Sequence, residues 1–179
     1  MEYSIRNIDE VRNELVNNWK SIDPKFLFFT PPTHNITSYS LEDEFDPNFP
    51  ETQKVINELR KLGGMYIRIY IYPPHTRTTF HKDQPEFRYV LPIISNDLCF
   101  NYEITSDSTD QEQTTPVFFN IKTMEDLMSF NTKFSNDGNR IYKMKDNHSN
   151  LIGPNSHAHL NFGDDIRIVI VFDHKGKLF

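Results

Sequence analysis

The chain of 179 residues holds one cysteine, Cys99. A lone thiol excludes an internal disulfide and fits a reducing compartment. No apolar run reaches the roughly 18 residues that a membrane-spanning helix needs, so no helical span is expected. Residues 1–6 lack the apolar stretch of a secretory signal. The expectation is a cytoplasmic protein with no membrane partner. Positive charge is also in short supply: 19 Lys and Arg against 25 Asp and Glu give a net charge of −6. No basic stripe is available to neutralise phosphates, which argues against a nucleic-acid partner. Internal repeats and a second domain boundary are missing too. The chain reads as one domain over residues 1–179, long enough for a sizeable core.

What the chain does have is aromatic residues, 15 Phe and 8 Tyr, which point to a thick β core. Ile8, Val11, Leu15 and Trp19 fall on one helical face and predict a helix over residues 7–20. Phe26 to Phe29 reads as a short strand or core anchor, and residues 33–50 as a polar, acidic surface loop. A second helix is expected over 51–62, with Val55, Ile56, Leu59 and Leu62 inward and Gly63-Gly64 ending it.

Strand patterns then dominate, so residues 1–62 form a helical and loop region before a β core at 63–179. From Met65 to Tyr72 apolar Met65, Ile67, Ile69 and Ile71 alternate with Tyr66, Arg68, Tyr70 and Tyr72. Further strands are expected at 87–94, 98–104, 117–121 and 140–144. Thr123 with Asp126 has the spacing of a capping box and opens a helix through Phe130. Residues 145–156 read as a loop. The end reads as a hairpin, with arms at 157–161 and 166–173 around the turn Gly163-Asp164-Asp165. Its second arm is apolar on both faces except for Arg167, which suits a central strand. Many short strands after two helices predict a mainly β fold, a small antiparallel barrel or jelly roll with helices outside. Such folds hold a ligand in the barrel mouth.

Two segments carry chemistry: Thr79-Phe80-His81-Lys82-Asp83, and the run from His157 through His159 and Asn161 to Arg167. Two imidazoles and a carboxylate can occupy one face of an Fe(II) ion and leave three positions open, as in non-haem iron oxygenases. A bare His-x-Asp is uninformative at this composition. The pattern of His, Asn four residues on and Arg six further on is rarer. His159 competes with His157 for the third ligand place. Strand alternation puts both on one face, and only the spacing to Arg167 favours His157. Arg167 within an apolar strand needs an anionic partner, because an unpaired buried charge is costly. That partner is a bound carboxylate, or else Asp164 or Asp165. Asn161 is either a ligand contact or a turn residue.

Residues 63–173, apart from a poorly matched stretch at 105–150, resemble the aspartyl/asparaginyl β-hydroxylase family of Fe(II)- and 2-oxoglutarate-dependent dioxygenases. The strand and turn from Ile69 through Pro73-Pro74 to His81 resemble the family's approach to its first metal ligand. Arg88-Tyr89-Val90-Leu91-Pro92 resembles the segment after it. His157, Arg167 and the run Ile168-Val169-Ile170-Val171-Phe172-Asp173 resemble its terminal pattern. The resemblance implies a double-stranded β-helix (cupin, or jelly-roll) core. It implies iron bound by His81, Asp83 and His157, and 2-oxoglutarate held at its distal carboxylate by Arg167 with help from the position of Tyr70. Arg88 would face the cosubstrate's other end. Relatives usually place His where this chain has Val90.

The implied activity is hydroxylation of an unactivated C–H of an amino-acid side chain, free or in a peptide or protein. It would consume O2 and 2-oxoglutarate and release succinate and CO2, with ascorbate as a reductant. The competing reading is a non-oxygenase cupin: a metal-dependent isomerase or hydrolase, or a binding module. Arg167 favours the oxygenase, because a simple cupin needs no carboxylate anchor there. Arg88 has ion-pair partners at hand in Glu86 and Glu103, and Arg68, Tyr66 and Tyr72 line the pocket or face solvent. Specificity is expected from loops 33–50, 105–115 and 145–156.

Overall fold

The computed structural model describes residues 3–28, 35–41, 44–82, 87–104, 121–133, 140–152 and 155–178. Among them are three α-helices: α1 (Ile8–Asn18), α2 (Pro50–Lys61) and α3 (Met124–Lys133). The strands are β1 (Leu27–Phe28), β2 (Thr37–Ser40), β3 (Met65–Tyr72), β4 (Thr76–Arg77), β5 (Arg88–Ile94), β6 (Cys99–Ile104), β7 (Arg140–Tyr142), β8 (Asn150–Ile152), β9 (Ser156–Asn161) and β10 (Arg167–Asp173). They form a six-stranded antiparallel sheet in the order β1-β2-β3-β10-β5-β8 and a four-stranded one in the order β4-β9-β6-β7. The fold is the mainly β jelly roll that the strand pattern predicts. No described helix is long and apolar enough to cross a membrane.

The alternation of β3 decides how the layers stack. Ile67, Ile69 and Ile71 join Leu91, Ile93, Ile168, Ile170 and Phe172 on the outer face of the large sheet. There they meet Val11 and Leu15 of α1 and Val55, Ile56 and Leu59 of α2. Each such side chain contributes roughly 1.5–3 kcal/mol through burial. The small sheet has its own outer cluster, in which Tyr102, Ala158 and Leu160 pack against Leu127 and Phe130 of α3. The alternate residues of both sheets therefore face each other across the interior. From the large sheet come Tyr72, Val90, Val169 and Val171, packed together. From the small sheet come His157, His159 and Asn161.

Local signals explain the helix ends. Gly63, with φ +88°, carries the chain out of α2 through the left-handed region that favours glycine. Thr123 Oγ1 accepts from Asp126 N at 3.1 Å, while Asp126 Oδ2 accepts from Thr123 N at 3.0 Å, closing the expected capping box.

Three expectations are corrected. The final hairpin is not one: β9 pairs with β6 and β4, and β10 pairs with β3 and β5, so the turn at 162–166 carries the chain from one sheet to the other. The apolar–turn–apolar pattern is the same in both cases. The polar segment 33–50 contains strand β2 and buries Tyr39, Leu41, Phe45 and Phe49. The segment at 26–28 follows both of its alternatives: Leu27 and Phe28 form an exposed edge strand, and Phe26 packs against the core beside Phe45. The loop at 145–156 contains β8, which pairs with β5. The strand expected at 117–121 lies outside the described residues except for Ile121. Strand β10 is central, with all seven residues buried.

Candidate metal and cosubstrate site

His81 and His157 meet in an isolated antiparallel bridge. His81 N donates to His157 O at 3.1 Å, and His157 N donates to His81 O at 2.9 Å. The neighbouring Thr78 fixes the next rung: its N donates to His159 O, and its hydroxyl accepts from His159 N, both at 2.9 Å. Main-chain bonds thus place three imidazoles on one interior patch. Ring centroids are 4.5 Å apart for His81 and His157, 5.2 Å for His157 and His159, and 6.0 Å for His81 and His159. One ligand nitrogen from each of the three lies within 4.8 Å of the others. His157 and His159 are buried and His81 is half-buried.

The hydrogen-bond network assigns their tautomers. His81 Nδ1 lies 2.9 Å from Thr79 O, His157 Nδ1 3.0 Å from Asn155 O, and His159 Nδ1 2.6 Å from Asn101 Oδ1. A carbonyl oxygen only accepts, so each Nδ1 carries the proton and each Nε2 the lone pair. This is the outer arrangement of metal-ligating histidines, in which the far ring nitrogen donates to a carbonyl. Burial, and after it the nearby charges of His157, Arg167, His81 and Arg88, hold His159 well below the usual imidazole range. A neutral imidazole is the form that binds metal. Three such donors fit Fe(II) as they fit other divalent first-row ions. Asp83, the carboxylate expected beside them, lies outside the described residues.

Arg167 opens β10 and is only 1 % exposed. Its Nη1 donates to Leu160 O at a long 3.4 Å, and its Nη2 touches Met144 Sδ at 3.7 Å. Its buried Nε makes no hydrogen bond among the described residues, and no carboxylate among them forms an ion pair with it. Asp164 faces His75 instead, at 3.0 Å, and Asp165 is exposed. The guanidinium also lies against Tyr72, its register partner, whose ring centroid is 5.5 Å from Arg167 Cζ and 6.2 Å from the His159 ring. Tyr72 therefore neighbours both the cation and the imidazole of His159. The alternation of β3 put it on the same face as Tyr70, and the sequence left it either lining the pocket or facing solvent. Tyr70 pairs with Val169 two rungs further along and packs at 6.5 Å against Tyr72.

Arg88 binds Asp173 through two nitrogens, Nε to Oδ1 at 2.7 Å and Nη2 to Oδ2 at 3.1 Å. Sequence reasoning offered Glu86 or Glu103 as its partner; Glu86 lies outside the described residues, and Glu103 is buried and pairs with Arg140 and with Asn155 Nδ2 at 2.6 Å. Val90 is buried opposite Val171. Asn161 is a turn residue: its Nδ2 donates to Pro73 O at 3.0 Å and Asp165 O at 2.8 Å, and its Oδ1 accepts from Gly163 N at 3.2 Å. Arg68 stacks over Phe28, 4.2 Å from the ring centroid. A cavity of about 300 Å³ is lined by Asn96, Cys99, Lys143 and Met144, and none of the three histidines lines it.

No family model matches the sequence, and no curated protein matches it. Solved structures do. A prolyl-4-hydroxylase from Pseudomonas putida is similar over 97 % of this chain and 91 % of its own, with a TM-score of 0.53 at 12 % identity. HygX from Streptomyces hygroscopicus, solved with nickel, 2-oxoglutarate and hygromycin B bound, is similar over 95 % of this chain and 79 % of its own, with a TM-score of 0.53 at 10 % identity. SnoN, a non-haem α-ketoglutarate-dependent epimerase from nogalamycin biosynthesis, is similar over 96 % and 74 %, with a TM-score of 0.54 at 7 % identity. At these identities the likeness is one of fold alone.

Proposed function

We propose that this protein is an Fe(II)- and 2-oxoglutarate-dependent dioxygenase that hydroxylates an unactivated C–H of an amino-acid side chain, free or within a peptide or protein. The observation that carries the reading is Arg167: a fully buried guanidinium with no carboxylate partner among the described residues, one tyrosine away from three convergent imidazoles. A buried cation of that kind is costly unless an anion meets it. The planar fork of arginine matches a carboxylate in two-point contact.

His81 and His157, with Asp83 as the carboxylate that the sequence motif supplies, hold the metal. Arg167 grips the distal carboxylate of the cosubstrate, with Tyr70 and Tyr72 lining its path. When bound, the ion and 2-oxoglutarate supply O2-dependent oxidative decarboxylation, yielding succinate and CO2 and inserting oxygen into the substrate C–H. The chain's own contribution is placement. Backbone bridges fix the donors, carbonyl acceptors fix their tautomers, and the two sheets exclude water. Jelly-roll proteins solved with nickel and 2-oxoglutarate support the same reading by analogy of fold. The resemblance to the aspartyl/asparaginyl β-hydroxylases rests on the motif residues alone, and with it the choice of an amino-acid side chain as substrate. Arg88 is engaged with Asp173, so a role for it at the cosubstrate requires it to keep or exchange that partner.

The test is succinate formation from 2-oxoglutarate with Fe(II) and ascorbate, with and without candidate peptides. Turnover that requires Fe(II) and is lost in Arg167→Met supports the proposal. Protein that binds neither Fe(II) nor 2-oxoglutarate overturns it.

A further inference from the structure

We infer that His159 is itself a metal ligand, so that three imidazoles, those of His81, His157 and His159, hold the ion in the cosubstrate-free protein. The inference rests on the metal centre proposed above and deepens it: the motif spacing nominates two histidines, and the folded chain presents a third.

Three independent features of His159 carry it. Its position is the first. It lies two residues beyond His157 on β9, on the same interior face, and offers a ligand nitrogen within 4.8 Å of those of both other histidines. Its tautomer is the second. Nδ1 lies 2.6 Å from Asn101 Oδ1, and the Asn101 amide is oriented by its other end, where Nδ2 donates to Tyr142 O at 3.5 Å. The proton is therefore on Nδ1, and Nε2 presents a lone pair, which a metal ion complements and a carboxylate does not. Its setting is the third. The ring is buried against His157, His81 and Tyr72, and bonds to the amide and hydroxyl of Thr78 fix its backbone on both sides. A histidine kept only for packing does not need its Nδ1 proton fixed by an amide while its ring faces two further imidazoles. Three imidazoles on one face of an octahedral ion leave three positions open, one of which Asp83 takes in the centre proposed above.

The experiment counts ligands on the intact protein without cosubstrate. Cu(II) is loaded at one equivalent, and pulsed EPR reads the coordinated imidazoles through their remote ring nitrogens. Calorimetry with Ni(II) gives the affinity. The expected result is three imidazoles in the wild type, two in His159→Gln, and an affinity for Ni(II) lowered more than tenfold in that variant. Two imidazoles in the wild type overturn the inference, and that readout does not depend on any variant folding. An unchanged Ni(II) affinity in a folded His159→Gln, with melting temperature and circular dichroism preserved, also overturns it. If His81→Gln and His157→Gln keep full Ni(II) affinity as well, it is the proposed metal centre that fails, a result distinct from the loss of the His159 contribution alone.

Discussion

His81 and His157 are joined through their backbones, each N–H donating to the other's carbonyl at 3.1 and 2.9 Å. The two candidate ligands come from segments 76 positions apart in the chain, yet their Cα positions are set by a pair of main-chain bonds. Changing either side chain leaves those bonds in place. His81→Gln and His157→Gln should therefore remain folded and each lose at least a hundredfold in affinity for Ni(II) or Co(II), about 2.7 kcal/mol. Calorimetric titration beside a thermal melt separates the two effects. A variant that melts normally and binds metal as the wild type does would remove that histidine from the centre.

Arg167 makes an opposite pair of effects. Its guanidinium has a long contact to Leu160 O and a stack on Tyr72, and no carboxylate partner among the described residues. Arg167→Met keeps the volume and removes a buried charge, which is neutral or stabilising where the charge is unpaired. The melting temperature without cosubstrate should stay level or rise. Binding of 2-oxoglutarate should weaken at least thirtyfold, the equivalent of about 2 kcal/mol, as for hydrogen bonds between charged groups. Arg167→Lys should recover part of the affinity, because a point charge replaces a fork. A large fall in melting temperature with Arg167→Met would instead mean that the guanidinium holds the fold together.

These two sites show how far the sequence could be read. Strict alternation over Met65–Tyr72 announced β3, and the apolar run around Arg167 announced a central strand, because period and composition are local properties. The capping box at Thr123 and Asp126 was legible for the same reason. What failed was not local. The pattern 157–173 looked like a hairpin, and nothing in its residues says that β9 and β10 belong to opposite sheets. Strand β2, with the sequence Thr-Ser-Tyr-Ser, and β8, inside an Asn-rich loop, are held by the pairing surfaces of β3 and β5 and not by their own propensity. At the site, alternation placed His157 and His159 on one face but could not separate their roles. The acceptors of their ring protons, Asn155 and Asn101, left no sequence signal at all.

The imidazole of His159 should make stability depend on pH in a defined window. Unfolded, it takes a proton near pH 6.5. Folded, burial first and neighbouring positive groups second push that protonation well lower. Below pH 6.5 the unfolded chain thus binds the additional proton. The stabilisation is fully present above pH 6.5 and is lost as the pH falls, by at most about 1.4 kcal/mol per pH unit for one proton. Melting temperatures of chelator-treated protein between pH 7.5 and 5.5 should decline, and His159→Gln should flatten the decline. An identical slope in the variant would show that other groups set the acid limit.

Asn161 was read as either a ligand contact or a turn residue, and its hydrogen bonds decide for the turn. It is fully buried and ties four backbone groups: its amide donates to the carbonyls of Tyr72, Pro73 and Asp165, and its Oδ1 accepts from Gly163 N. Those bonds hold the crossover between the sheets against the end of β3. Asn161→Ala strands buried polar groups at about 1–3 kcal/mol each. A net loss of roughly 3 kcal/mol would lower the melting temperature by about 6–12 °C. Asn161→Asp should be worse, because it sets a carboxylate oxygen against two carbonyls in a buried site. Below the melting transition, metal affinity in Asn161→Ala should stay within a few fold of wild type, since the amide touches none of the three histidines. A variant that melts normally but loses metal or 2-oxoglutarate binding would return Asn161 to the site itself.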